Sequence, residues 1–281
     1  MERRFLPEYS QEVNELRKPV VLLLIIPLVA VLAGCGGPSA EQIMKDSMRA
    51  SKDVKTAHFE MEEVTKLPRA PITQGQVGKQ NYIQKSSGDY DLRTGDFKVS
   101  TDVLGMTITA LQVGDKQYWR IAGNWYEVPQ AVQITPPLAQ TLSVSQYIKY
   151  FKDIQRLSDK DVDGSDCYHV QAVPNMKDLV KQPGITDLLK DPSGKQIRTI
   201  DELEELKAVF EFYVEKGNNY FRRSEAVVES RAPNELIQLG YAEPGDNIKQ
   251  TARVTFSDFN EKLDLKAPEK VKPWEGTTPA P

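Results

Sequence analysis

An α+β fold is what this sequence predicts, with a long antiparallel meander as its body and a few helices as its cover. Three observations carry the expectation. Apolar and polar residues alternate at the period of a strand through much of residues 56–128 and again through 209–259. Turn pairs such as Gly114-Asp115, Gly123-Asn124 and Gly217-Asn218 stand between those runs. Spacing of three and four residues is confined to 40–54, 138–156 and short pieces of 175–207.

The elements follow in order. Ser39 caps a helix over 40–54, with Gln42 three residues on as in a capping box, and Ile43, Met44, Ser47, Met48 and Ser51 on one side. Thr56 to Leu67 sets Ala57, Phe59 and Met61 against His58, Glu60 and Glu62, a half-buried strand. Strands follow over 76–85, 96–103, 106–113, 116–121 and 125–128. Pro129 to Pro137 breaks the meander, and Pro137 suits the start of a helix. Leu138, Leu142, Ser145, Ile148 and Phe151 mark one side of that helix, which ends near Arg156. A strand over 167–174 comes next, then short helices around 176–180 and 201–207. Strands over 209–215, 220–229 and 248–259 close the fold, with a polar loop over 230–246. A meander must bury its apolar side, and these helices are the covers at hand.

The N-terminal segment sets location. Arg17-Lys18 precedes an uncharged apolar run from Val20 to Leu32, and Leu32-Ala33-Gly34-Cys35 follows. A basic flank, a short apolar core and small residues before a cut site make a secretory signal, and the cysteine makes it a lipoprotein signal. The run is too short for the ~20 residues that span a bilayer. Residues 1–34 are therefore expected to be removed and Cys35 to carry a diacylglycerol. The chain would then sit on the extracytoplasmic face of the cell membrane. The four acidic residues from Met1 to Glu15 are unusual ahead of a signal, and a start at Val13 would remove most of them. Residues 35–39 form a short lipidated tether, 40–269 one domain, and 270–281 a Pro-rich, loose tail.

Composition excludes several functions. The net charge of −4 is mild and no basic tract exists, so no nucleic-acid surface is encoded. Cys35 is used by lipid, which leaves Cys167 without a partner in the chain and suits it to a small buried position. His58 and His169 both fall in alternating runs and read as strand histidines that face outward or hold hydrogen bonds. Two histidines cannot make a three-histidine zinc site, and no nucleophile elbow or phosphate loop occurs. The Asp201-Glu202 and Glu204-Glu205 run reads as a solvated helix side. No metal, no cofactor and no enzyme activity are expected. What remains is shape. Phe59, Met61, Met106, Ile108, Phe210, Phe212 and Phe256 either fill a solid core or line a sheet that holds a lipid tail.

Several segments resemble a known family. They are the helix-into-strand start Glu41 to Phe59, the hairpin Val113-Gly-Asp-Lys-Gln-Tyr-Trp-Arg-Ile-Ala-Gly-Asn-Trp-Tyr-Glu-Val-Pro129, the turn Val162 to Val170, and the close Val254 to Pro268. Together they are similar to the LppX/LprG group of actinobacterial envelope lipoproteins, whose fold is like that of the carriers LolA and LolB. The resemblance implies a half-barrel sheet with helices over its concave side and an apolar cavity between them. It implies a monomer that binds an acyl lipid or glycolipid and transfers it within the envelope, without catalysis. The lining it implies is Phe59, Met61, Met106, Ile108, Leu142, Ile148, Phe151, Phe210, Phe212, Val214, Val254 and Phe256, none of them catalytic. The rival expectation is a surface adaptor with the same sheet, a filled core and a protein partner.

Overall fold

The computed structural model describes residues 37–69, 80–103, 105–129, 150–179, 181, 205–232, 234–238 and 240–274. The unit from Ala40 onward opens with α1, Ala40–Ala50, followed by a 3-10 turn over Ser51–Asp53. Six strands follow: β1 Thr56–Leu67, β2 Gln80–Asp91, β3 Phe97–Val103, β4 Met106–Val113, β5 Lys116–Ile121 and β6 Asn124–Val128. Then come β7 Phe151–Arg156, β8 Lys160–Val162, β9 Ser165–Pro174, α2 Met176–Leu179, β10 Lys207–Glu215 and β11 Phe221–Arg231. The last elements are α3 Asn234–Gln238, β12 Asn247–Ser257 and β13 Lys272–Pro273.

All thirteen strands among the described residues join one curved, open sheet in the order β13-β6-β5-β4-β3-β2-β1-β12-β11-β10-β9-β7, with β8 paired to β9. Pairing is antiparallel throughout except for the two-residue β13. The meander is thus real, and the closing strands return beside β1 through His58↔Ser257 to Lys66↔Lys249.

Alternation divides the sheet into an apolar and a polar side. Phe59, Phe97, Val99, Ala110, Val254 and Phe256 form one buried cluster on the apolar side. Ala40, Ile43 and Met44 of α1 pack with Val170, Ala172, Phe212 and Val214 in another. The face of α1 expected from its spacing is the one that is buried, and Ile43 and Met44 contribute about 2–3 kcal/mol each.

Several expectations are corrected. Phe151 to Arg156 is not the end of a helix but the edge strand β7. Asp153 has φ 53°, and the β7–β9 register shifts between Lys152 and Gln155. That bulge breaks the two-residue period that would have marked the strand. Lys207 starts β10 rather than ending a helix, and α3 lies inside the expected loop. In the expected loose tail, Lys272 and Pro273 pair with Tyr126 and Glu127 of β6. Trp274 then meets Trp119 and Tyr126 edge-on, with centroids 5.6 and 6.1 Å away. Leu142, Ile148 and the stretches 76–79, 138–149 and 201–204 lie outside the described residues.

Candidate functional site

The ten expected lining residues that lie among the described residues fall on one side of the sheet. Phe59, Met61, Val254 and Phe256 share one packed group, and Phe151, Phe210, Phe212 and Val214 share the group under α1. Met106 and Ile108 lie on the same side, alternating in register with Ala110. Cross-strand pairing explains the assembly: Phe59 is opposite Phe256 and Met61 is opposite Val254.

Burial along this side is uneven. At the end where β2 turns into β3, Phe59 and Val214 are wholly buried, and Phe97 and Phe256 nearly so; in the next row, Phe212 and Val254 are nearly closed while Met61 and Ile108 are half-buried. Phe151, Phe210 and Phe212 stack edge and face in the group under α1. Toward the other end, where β3 turns into β4, Met61, Ile108 and Phe210 are half-buried and Met106 is 63% exposed. Small side chains occupy that half as well. Phe210 is opposite Ala226, and Ala226 is opposite Ala252. Ser86 and Thr101 pair their hydroxyls at 2.9 Å. These small residues escaped notice in the sequence, although the alternation of β11 and β12 assigns their side.

Gly88 sits within this side, opposite Phe59 and Val99. A Cβ there would lie 2.2 Å from the Lys98 carbonyl oxygen and 2.8 Å from the Val99 Cα. β2 and β3 approach so closely that only hydrogen fits.

The other side is polar and extensively paired. A hollow of about 660 Å³ on it is lined by Glu60, Glu62, Lys85, Ser87, Ser100, Asp102, Thr107, Asp163, Arg223, Arg253 and Thr255, with Met61 and Ser86. Lys85 Nζ is 3.2 Å from Glu62 Oε2, and Arg223 reaches Asp163 at 3.1 Å and Thr255 at 3.2 Å. Charge of both signs on every wall makes this hollow a poor place for a hydrocarbon.

The two histidines lie on this polar side. His58 Nδ1 is 2.8 Å from Asp89 Oδ1, and His169 Nε2 is 3.0 Å from Glu211 Oε2. His169 stacks on Tyr213 at 4.5 Å, and the Tyr213 hydroxyl donates to Glu211 at 2.9 Å. Burial pushes the Glu211 carboxyl up, but bonds from Tyr213, His169 and Gln171 outweigh it and hold the group below its usual range. Burial and then the Glu211 bond push the Tyr213 hydroxyl well up. Both sequence readings hold: these are strand histidines with hydrogen-bond partners. Cys167 is buried and free, and burial, then Glu215, pushes its thiol up to about 11. Among the described residues no group of three His, Cys, Asp or Glu is placed to hold a metal ion. No helix among them is long and apolar enough to cross a membrane.

No protein-family model matches the chain, and no curated protein sequence matches it. Solved structures of similar fold include lipoprotein LppX of Mycobacterium tuberculosis, 12% identical, covering 80% of this chain and 96% of that one at a TM-score of 0.48. LprF of Mycobacterium bovis is 12% identical, with 83% and 99% covered and a TM-score of 0.47. A LolA superfamily protein of Nitrosomonas europaea is 11% identical, with 81% and 96% covered and a TM-score of 0.26. These are likenesses of fold.

Proposed function

We propose that this protein is an extracytoplasmic lipoprotein, tethered through a diacylglycerol on Cys35, that holds an acyl lipid or glycolipid against the apolar side of its sheet and transfers it within the envelope. The observation that carries the reading is the uneven burial of that side. Phe59, Phe97 and Phe256 are packed at one end, while Met61, Ile108, Phe210 and Met106 toward the other end keep exposure beside small residues. A protein with a solid core would close that half with its own large side chains. Leu32-Ala33-Gly34-Cys35 supplies the location.

The energetics favour exchange over extraction. A tail of about 15 carbons gains roughly 12 kcal/mol over water at ~0.8 kcal/mol per CH₂. Against a bilayer the difference is near zero, because both phases are apolar. The carrier must therefore work at the membrane surface. A two-chain anchor holds it there where a single chain would bind only marginally.

Native mass spectrometry of the chain from residue 36 onward, purified without detergent from a cell that makes acyl lipids, tests the reading. Adducts of lipid mass that disappear on organic extraction are expected. A single lipid-free mass, unchanged after incubation with phospholipid, would leave the adaptor reading in its place.

A further inference from the structure

The polar side of the sheet is not uniform. The strand registers place residues in rows across the sheet. One row runs Gln171, Glu211, Glu225, Arg253, Glu62, Lys85 and Asp102, nearly all charged. The next row toward the β3–β4 end runs Val209, Val227, Thr251, Val64 and Ile83. It holds four aliphatic β-branched residues and one threonine, between two rows that are charged or polar at nearly every position. Ile83 is 53% exposed, and Val64, Val209, Val227 and Thr251 are half-buried. The last row, at the very tip, runs Lys207, Glu229, Lys249, Lys66 and Asn81. Lys249 pairs with Glu229 at 3.3 Å, which leaves the row a net positive charge from Lys66 and Lys207.

An apolar band bordered by lysines is the pattern of a surface that lies in a bilayer interface. Aliphatic groups enter the acyl boundary while ammonium groups stay at the level of the phosphates. Exposed apolar side chains gather at the β3–β4 end on both sides of the sheet. Of the four large apolar residues that are exposed among those described, Tyr82, Ile83 and Met106 all lie there. We propose that the Val64–Val227–Ile83 band and its lysine rim dock this end of the sheet onto an anionic bilayer. The choice of a bilayer rests on Cys35 as a lipid anchor, not on the cargo. Cys35 lies five residues before Ala40, so an anchored chain keeps α1 within roughly 18 Å of the bilayer. The rim's charge suits acidic headgroups. Docked by this end, the sheet brings the edge of its apolar side, with Tyr82 and Met106, to the membrane, where exchange has to occur.

Vesicle flotation tests the proposal with the chain from residue 36 onward, which has no anchor and retains the whole compact unit Ala40–Pro281. Binding to phosphatidylcholine mixed with phosphatidylglycerol, weakened by salt and weak on phosphatidylcholine alone, is expected. Lys66→Glu and Lys207→Glu each lower binding about fivefold or more, and Ile83→Asp lowers it about tenfold or more. Lys98→Glu makes the same charge change on an exposed residue away from that end and leaves binding unchanged. Melting curves unchanged in all four variants show that folding is not the cause. An equal loss in Lys98→Glu would overturn the proposal, as would vesicle binding indifferent to Ile83. So would sedimentation showing a dimer that Ile83→Asp dissolves, since the band would then cover a second copy. A chain that floats with vesicles yet carries no lipid mass would refute the cargo reading alone.

Discussion

Truncating two apolar residues on the same side of the sheet should have very different costs. Phe59 has no exposed surface and packs among Phe97, Val99, Val254 and Phe256. Phe59→Ala removes a ring from a closed site, where such a change costs about 3–5 kcal/mol. For a domain of this size each kcal/mol moves the melting temperature by about 2–4 °C. The expected fall is therefore roughly 6–20 °C. Met106 is 63% exposed. Burying a whole methionine side chain is worth about 1.5–3 kcal/mol, so about a third of it contributes near 1 kcal/mol or less. Met106→Ala should lower the melting temperature by no more than about 4 °C. Thermal unfolding followed by circular dichroism, with both variants at one concentration, reads the difference. Equal falls would mean that Met106 is as well packed as Phe59, and the reasoning from an uneven apolar side would be lost.

Other outcomes follow from single sites. Gly88→Ala places a Cβ 2.2 Å from the backbone oxygen of Lys98, which no rotamer relieves; a drop in the urea midpoint worth about 1–3 kcal/mol or more is expected, and an unchanged midpoint would show that the strands separate freely. A hydrogen bond from Arg93 holds the Asp91 carboxyl below its ordinary range, and Lys216 and Arg156 do the same for Asp159 against the opposing effect of burial. Their folded values are depressed, so the stability they contribute is complete above the ordinary aspartate value near about 3.9 and is lost as pH falls below it; Asp91→Asn should flatten that acid limb of the urea midpoint, and a limb as steep as wild type would remove Asp91 from the account. The Cys167 thiol, pushed up to about 11 by burial, should resist an aromatic disulfide reagent at pH 8 until the protein is unfolded; rapid reaction of the native protein would contradict its burial.

Much of this architecture could be read from residue order because alternation is a local signal. Met106 to Val113 and Lys116 to Ile121 are strands at the expected residues, and Gly123 has the positive φ that the hairpin after β5 requires. The failures have local causes too. β7 was hidden by the bulge at Asp153, and Phe151 happened to continue a helical spacing from Leu138. β13 has two residues, too few for any period, and its contact depends on Trp274 meeting a hairpin 150 residues earlier. That Phe59, Met61, Phe210 and Phe212 share one side was legible because strand alternation assigns it. Which of them are closed in and which are open was not legible, because that depends on which strands become neighbours. The valine row on the polar side was invisible for the same reason: Val64, Val209 and Val227 come together only through the β1–β12–β11–β10 register.

The most direct test of the central claim is to find where an acyl chain rests. A fatty acid carrying a photoreactive group at its tail, loaded onto the chain from residue 36 onward and irradiated, should label peptides that hold Met61, Met106, Ile108 or Phe210. Labelling confined to the polar side, or none above that of the unfolded protein, would contradict the account.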